Sequence, residues 1–216
     1  QIIQGMSGLM SLTGSPDGEP MRAGIAVSDT SAGMFLGQGI LLALLERQQT
    51  GRGQWVHTSL LEAMLSKLDF QGSRYTMDGD SPGREGNHHP TAAPMGVFRA
   101  SDGFVNLAAT SGRMWRAFCK KLSLDTLLED PRFATNQQRV KHREALIELI
   151  ESKTAQKTQA SLITELNAIV CPCGPIYTVA EAFDDPQARA LQMRLPTDHS
   201  GRGQVDLVRS PINLSN

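Results

Sequence analysis

Apolar positions along the chain fall into segments of different period. Residues 1–14 read as a short helix that ends near Gly14. A turn follows at Ser15-Pro16-Asp17-Gly18, where Pro and Gly supply the special dihedrals. Gly24-Ile25-Ala26-Val27 reads as an apolar strand. From Thr30 to about Gln49 the apolar residues (Met34, Phe35, Leu36, Ile40, Leu41, Leu42, Leu44, Leu45) surround a helical axis, and charge appears only at Glu46 and Arg47. A helix that is apolar all round predicts burial. Gly51 suits its left-handed C-cap. Gln54 to Thr58 is strand-like, and Ser59 opens a helix with Leu60, Leu61, Met64, Leu65 and Leu68 on one face. The polar, Gly- and Pro-rich run from Asp78 to Asn87 reads as a linker between two sub-structures. Beyond it, Pro94–Ala100 and Phe104–Ala108 flank Ser101-Asp102-Gly103, and Asp-Gly between apolar runs predicts a hairpin. Helices are expected around 111–122, 136–153 and 158–170, the second opened by Thr135-x-x-Gln138, which resembles a capping box. The tail from Leu195 to Leu214 returns to short extended segments. This order predicts an α/β or α+β architecture in two parts.

Composition narrows the functional classes. The 216 residues carry 21 Lys and Arg against 22 Asp and Glu, a net charge of −1. Without basic blocks, that balance argues against nucleic acid or an anionic membrane as the main partner. A 40% hydrophobic fraction and a 20% charged fraction describe a chain able to form a packed core. The longest apolar stretch, Gly39 to Leu45, is far below the roughly 20 residues that span a bilayer. Three cysteines, Cys119, Cys171 and Cys173, make an odd and sparse set that argues against a secreted disulfide scaffold. A cytoplasmic location is the expectation. The chain opens at Gln1 inside an apolar, glycine-rich segment where a domain would seldom start, and a piece of a larger protein is expected.

Three places could carry chemistry. Asp29 follows the apolar 24–27 segment and sits where the long helix begins, among unpaired backbone N–H groups and the positive end of the helix dipole. Such a carboxylate could be a nucleophile held ionised, or an ordinary N-cap. Ala32, Gly33, Gly37 and Gly39 leave the helix start thinly clothed, which admits a ligand or a second backbone equally well. Gly86-Asn87-His88-His89 is the second place; its adjacent histidines could meet substrate or move protons, but they lie in a segment that also reads as solvated linker. Cys171-Pro172-Cys173 lacks the second pair of ligands that a zinc site needs, and no metal site is expected. No Gly-x-Ser-x-Gly elbow, dinucleotide fingerprint or P-loop occurs in the sequence.

Taken together, several stretches resemble the family III CoA-transferases. They are Gln4-Gly5-Met6-Ser7-Gly8-Leu9-Met10, Thr13 through Pro20, Val27-Ser28-Asp29-Thr30-Ser31-Ala32-Gly33 and Ala43 through Arg47. Further on come Thr50-Gly51-Arg52-Gly53-Gln54, Pro94 through Phe98, Ser101-Asp102-Gly103-Phe104 and Cys173-Gly174-Pro175-Ile176-Tyr177. They occur in the family's order over essentially the whole chain.

The resemblance implies an α/β fold, with part of a Rossmann-like large domain and a smaller α+β domain. It implies that residues 1–75 belong to the large domain, 76–90 to a linker, 91–178 to the small domain and 179–216 to a segment returning to the large one. It implies an interlocked homodimer acting on an acyl-CoA and a carboxylic acid acceptor, with the CoA thioester as substrate and no permanently bound cofactor. Asp29 matches the family's nucleophile, which attacks the thioester, forms a mixed anhydride and releases CoA thiolate. Where some members carry a glycine-rich loop over the anhydride, this chain keeps Gly86 and follows it with Asn87, His88 and His89. That departure points to larger or dicarboxylic acyl groups, whose distal carboxylate a histidine could meet. Two other readings remain at this point: an acyl-CoA racemase of the same fold, and an inactive fragment serving as an interaction domain.

Overall fold

The computed structural model describes residues 1–215. In chain order its first elements are helices α1 (Ile2–Met6), α2 (Leu9–Leu12), α3 (Val27–Thr50), α4 (Leu60–Ser66) and α5 (Asp69–Asp78), then strands β1 (Met95–Ala100) and β2 (Gly103–Ala108). Helices α6 (Gly112–Lys121), α7 (Asn136–Lys141), α8 (Arg143–Thr154) and α9 (Gln159–Asn167) follow. Strand β3 (Cys173–Pro175), helices α10 (Val179–Asp184) and α11 (Pro186–Ala190), and strands β4 (Arg194–His199) and β5 (Gly203–Val208) complete the order. Contacts divide the chain into two compact units, residues 1–96 with 135–143, and residues 97–134 with 144 to the chain end.

In the first unit the leading helix is two helices, because Gly8 adopts φ +86 between α1 and α2 and turns the chain. Gly24–Val27 forms no strand; α3 already begins at Val27. At its far end Gly51 takes the left-handed C-cap, φ +70, and its N–H reaches Arg47 O. Gln54–Thr58 forms no strand among the described residues. It lies along α3 instead: a Cβ on Gly39 would come within 2.8 Å of Val56 Cγ1, and Gln54 Nε2 donates to Glu46 Oε2 at 2.6 Å. Ser59 caps α4 by accepting from Glu62 N at 3.1 Å, and Ala63 and Met64 of that helix are buried.

The predicted burial of the long helix is not what the unit shows. Leu41, Leu42 and Leu45 of α3 are 62%, 68% and 59% exposed. Periodicity reports what a helix can bury, whereas burial needs a partner surface, and α4 with residues 54–58 covers only one side. Over its 24 residues α3 has an 18-residue window of mean hydropathy 1.2, so length and composition alone would let it cross a membrane. Core helices of globular proteins meet the same criterion.

The second unit has the larger apolar core. Strands β1, β2 and β3 form a sheet in that order, with β2 antiparallel to β3 and Val105 opposite Pro175, Leu107 opposite Cys173. The Asp102-Gly103 hairpin is formed where the alternation placed it. Phe98 and Ala100 on β1 and Val105 and Leu107 on β2 point inward with period two. They join Phe118, Leu146, Ile150, Leu162 and Leu166 in the buried set, each worth about 1.5–3 kcal/mol when fully removed from water. The helix expected over 136–153 is broken at His142, whose Nδ1 lies 2.9 Å from Gln138 O. Thr135 does cap α7, accepting from Gln138 N at 3.2 Å. The extended tail is a hairpin, β4 with β5, in register from Arg194↔Val208 to His199↔Gly203.

Candidate active site

Asp29 is the third residue of α3, not its cap. The N-cap is Ala26, which offers no side-chain bond, so the first turn has no side-chain oxygen on its free N–H groups. Thr30 folds back, donating from Oγ1 to Ala26 O at 3.0 Å. Ser28 and Ser31 turn inward and are buried, while Asp29 is exposed. Its carboxylate makes no hydrogen bond or ion pair among the described residues. A carboxylate in the first turn of a 24-residue helix sits in the positive field of the helix terminus.

The glycines that follow divide by role. Gly39 is a packing residue, held by Val56. At Gly33 and Gly37 a Cβ would meet nothing within 4 Å. Positions 29, 33 and 37 are four apart and share one face of the helix. Asp29 therefore heads an open strip in which Gly33 and Gly37 leave the main chain uncovered.

The histidine loop, read from the sequence as solvated linker, is fixed from several sides. Gly86 N donates to Gly14 O at 3.0 Å, and His89 N to Met95 O at 2.9 Å. His88 bridges to Gly96, and the His89 imidazole stacks on Phe70 with centroids 5.6 Å apart and planes 15° from parallel. Residues around α7 hold the outer side. Arg143 donates from Nη2 to both His89 O and Pro90 O at 2.9 Å, and its Nη1 pairs with Glu85. Asn136 Nδ2 donates to Thr91 O at 2.8 Å, its Oδ1 accepts from Ala93 N at 3.1 Å, and buried Arg139 donates from Nε to Ala93 O at 2.7 Å. A sequence reading could not single out Asn136, Arg139 and Arg143, because they lie more than 40 residues from the loop they anchor. Gly86, Asn87, His88 and His89 thus form one ordered element, and among the described residues the Asp29 carboxylate makes no hydrogen bond to it.

The remaining candidates are structural. Cys171 and Cys173 are buried, Cys171 Sγ lies 3.4 Å from Ala108 O, and Asn167 clamps Cys173 through its N–H and C=O at 3.1 and 2.9 Å. Burial pushes the Cys171 thiol up to about 12, with the neighbouring Cys173 adding to it, and the Cys173 thiol up to about 11. Among the described residues no cluster of three or more His, Cys, Asp or Glu side chains could hold a metal ion. A groove of about 800 Å³ between α1–α2 and α5 is lined by residues such as Ser7, Leu12, Asp69 and Tyr75, and neither Asp29 nor the histidines line it.

Comparison with known proteins identifies the frame that carries these residues. The sequence profile described as CoA-transferase family III matches residues 1–216. A succinate–glutarate CoA-transferase of Agrobacterium fabrum is 36% identical over 214 residues, which are 99% of this chain and 54% of the relative. A succinyl-CoA:mesaconate CoA-transferase of Haloarcula hispanica is 34% identical over 215 residues, again 99% of this chain and 54% of the relative. The chain spans about half the length of the curated relatives it matches. Among solved structures, a CAIB/BAIF family protein from Brucella suis superposes with a TM-score of 0.82 at 40% identity, over 99% of this chain and 55% of that one. Rv3272 from Mycobacterium tuberculosis superposes with a TM-score of 0.86 at 20% identity, over 99% and 56%, a likeness of fold alone. The α/β fold that the sequence motifs implied is the fold of these neighbours. With its profile matched from first residue to last, the chain belongs to CoA-transferase family III.

Proposed function

We propose that this chain serves an acyl-CoA:carboxylate CoA-transferase that works through a mixed anhydride at Asp29, on dicarboxylic acyl groups. One observation carries the reading: an unpaired, exposed carboxylate in the first turn of α3, at the head of the open strip over Gly33 and Gly37. A carboxylate oxygen of Asp29 attacks the thioester carbonyl, the C–S bond breaks and CoA leaves as its thiolate. The acceptor carboxylate then attacks the Asp29 carbonyl of the anhydride, with the donor carboxylate as leaving group. This exchange leaves the acceptor joined to Asp29 and frees the donor acid. CoA thiolate attacks the acceptor carbonyl, re-forming a thioester and returning Asp29 as carboxylate. Each tetrahedral intermediate places negative charge on an oxygen, and the free N–H groups of the α3 first turn are donors of the kind such an oxyanion needs.

Dicarboxylate preference is inferred from the fixed histidine loop. His89, stacked on Phe70 and tied at its main chain by Arg143, has little freedom to move and could present a ring N–H to a distal carboxylate. Relatives named for succinate, glutarate and mesaconate transfer support the same class. The reading carries with it a cytoplasmic homodimer, acyl-CoA and a carboxylic acid as substrates, and no permanently bound cofactor.

The test is mass spectrometry of the complete protein incubated with succinyl-CoA and hydroxylamine. A hydroxamate at Asp29 is expected, since hydroxylamine intercepts an aspartyl anhydride at the carbonyl. No adduct at Asp29 in enzyme that still turns over would overturn the anhydride, and α-proton exchange without an acceptor acid would favour the racemase reading.

A further inference from the structure

Helix α1 buries its polar residue while two of its apolar residues, Ile2 and Met6, are exposed. Ile2 and Met6 are 79% and 65% exposed, while Gln4 between them is 2% exposed. A buried primary amide is costly unless its donors and acceptor are used. The Gln4 amide is used on one short run of main chain. Its Oε1 accepts from Ala23 N at 2.9 Å, and its Nε2 reaches Ile25 O at 3.5 Å. Ser7 Oγ, also buried, donates to Gln4 O at 3.4 Å and ties the same residue at its main chain.

That run leads directly into α3. Residues 23–26 belong to no strand, and their main-chain bonds close the start of the helix itself: Ile25 O accepts from Val27 N at 2.9 Å and Ala26 O from Thr30 N at 3.1 Å. Gln4 fixes this segment to α1 through both ends of its amide, and the nearer bond lies four residues before Asp29. Ser28, next to Asp29, is buried with its Oγ unbonded, so it does not hold the helix start in place.

We propose that Gln4 is a positioning residue for Asp29: by bridging Ala23 N and Ile25 O it sets where the first turn of α3, and hence the nucleophile, stands. The proposal rests on Asp29 being the nucleophile. It gives a reason for a glutamine on the buried face of a helix that would otherwise take Leu there. Reactions through a positioned nucleophile are steep in distance, so that a shift of about 1 Å costs on the order of 100-fold in rate.

The test uses the complete enzyme with Q4L, Q4E and, separately, D29A. Q4L removes both bonds at similar size; Q4E keeps the acceptor for Ala23 N and sets an oxygen against Ile25 O. The expected result is a fall of kcat and of hydroxamate formation at Asp29 by about 10-fold or more in Q4L, a smaller fall in Q4E, and a KM for acyl-CoA changed by less than about 2-fold. Should Q4L fail to fold, Q4E against the parent enzyme decides. Unchanged kcat in a folded Q4 variant, or a loss confined to melting temperature and KM, overturns the proposal. If D29A retains turnover, the nucleophile reading itself has failed, a result distinct from any in the Gln4 series.

Discussion

Gly96 and His88 stand so close that only hydrogen fits between them: a Cβ on Gly96 would lie 2.5 Å from His88 Nδ1 and 3.0 Å from His88 Cα. The backbone at Gly96 has φ +153, a conformation that side-chain-bearing residues rarely adopt. The histidine loop is therefore pressed onto β1 at a position where the sequence has no alternative. G96A is expected to cost about 1–3 kcal/mol in strain and to displace Asn87 and His88, read as a lower urea midpoint. A midpoint equal to that of the parent protein would mean that the loop is not seated on Gly96.

At Gly33 the same substitution should act in the opposite sense on stability. Gly33 lies inside α3 with open space where its Cβ would be. G33A is expected to stabilise the helix by about 0.5–1 kcal/mol, because Gly forfeits backbone entropy that Ala does not. If the strip beside Asp29 receives the acyl-CoA, the added methyl group obstructs it and kcat/KM falls. Gain in thermal stability with loss of activity is the expected pair, and G33A with both stability and activity raised would remove the strip from the site.

His88 and His89 predict a selective effect on acceptor acids. Replacing both with Ala is expected to raise KM for dicarboxylic acceptors by about 10-fold, the size of one charge-assisted hydrogen bond of about 1.5 kcal/mol, and to leave monocarboxylic acceptors nearly unchanged. Steady-state kinetics with a matched pair of acids checks it. Unchanged constants for every acceptor would take the histidines out of recognition.

The cysteines should be silent. With burial holding the Cys171 and Cys173 thiols at about 12 and about 11, almost no thiolate exists at pH 8. Iodoacetamide is expected to leave both unmodified in the native protein and to alkylate all three cysteines after denaturation, as read by intact mass. Rapid native labelling at either position would show that the β2–β3 pairing around Leu107 and Cys173 opens readily.

What the sequence made legible depended on the range over which each signal acts. The Ser101-Asp102-Gly103 hairpin, the Gly51 C-cap and the Ser59 and Thr135 caps are decided within a few residues, and all four stand in the structure. Thr178 and Glu181 form a complete capping box that opens α10, a local signal carried by four consecutive residues of the sequence. The strands expected at 24–27 and 54–58 failed because an apolar run becomes a strand only against a second strand; the first is held by Gln4 and the second lies along α3. In the sequence, the motif around Asp29 marks it as the proposed nucleophile. The anchors of the histidine loop carry no such mark, since Arg143 reaches Pro90 across 53 residues and no local pattern announces such a bond.

The most pH-sensitive element of the second unit is expected to be Glu165 on α9. Lys157 donates to both of its carboxylate oxygens at 2.8 and 2.9 Å, Ser161 Oγ donates at 2.7 Å, and Lys121 Nζ lies 3.6 Å away. These bonds, that of Lys157 foremost and that of Ser161 next, hold its carboxyl at about 2 against the ordinary 4.5, while partial burial works in the other direction. The native state therefore binds this proton at a lower pH than the unfolded chain does. The ionised pair stabilises the fold fully above about pH 4.5, and the contribution is lost as pH falls from there towards 2. Lys157 also accepts Ser101 N at its main-chain O at 2.8 Å, so the cluster fastens the β1–β2 turn to α9. E165Q keeps the size and loses the charge. Its stability deficit relative to the parent protein, measured by urea denaturation, should be constant from about pH 7 to 5 and close progressively below about pH 4.5. A deficit that persists undiminished at pH 2.5 would show that Glu165 acts through packing alone.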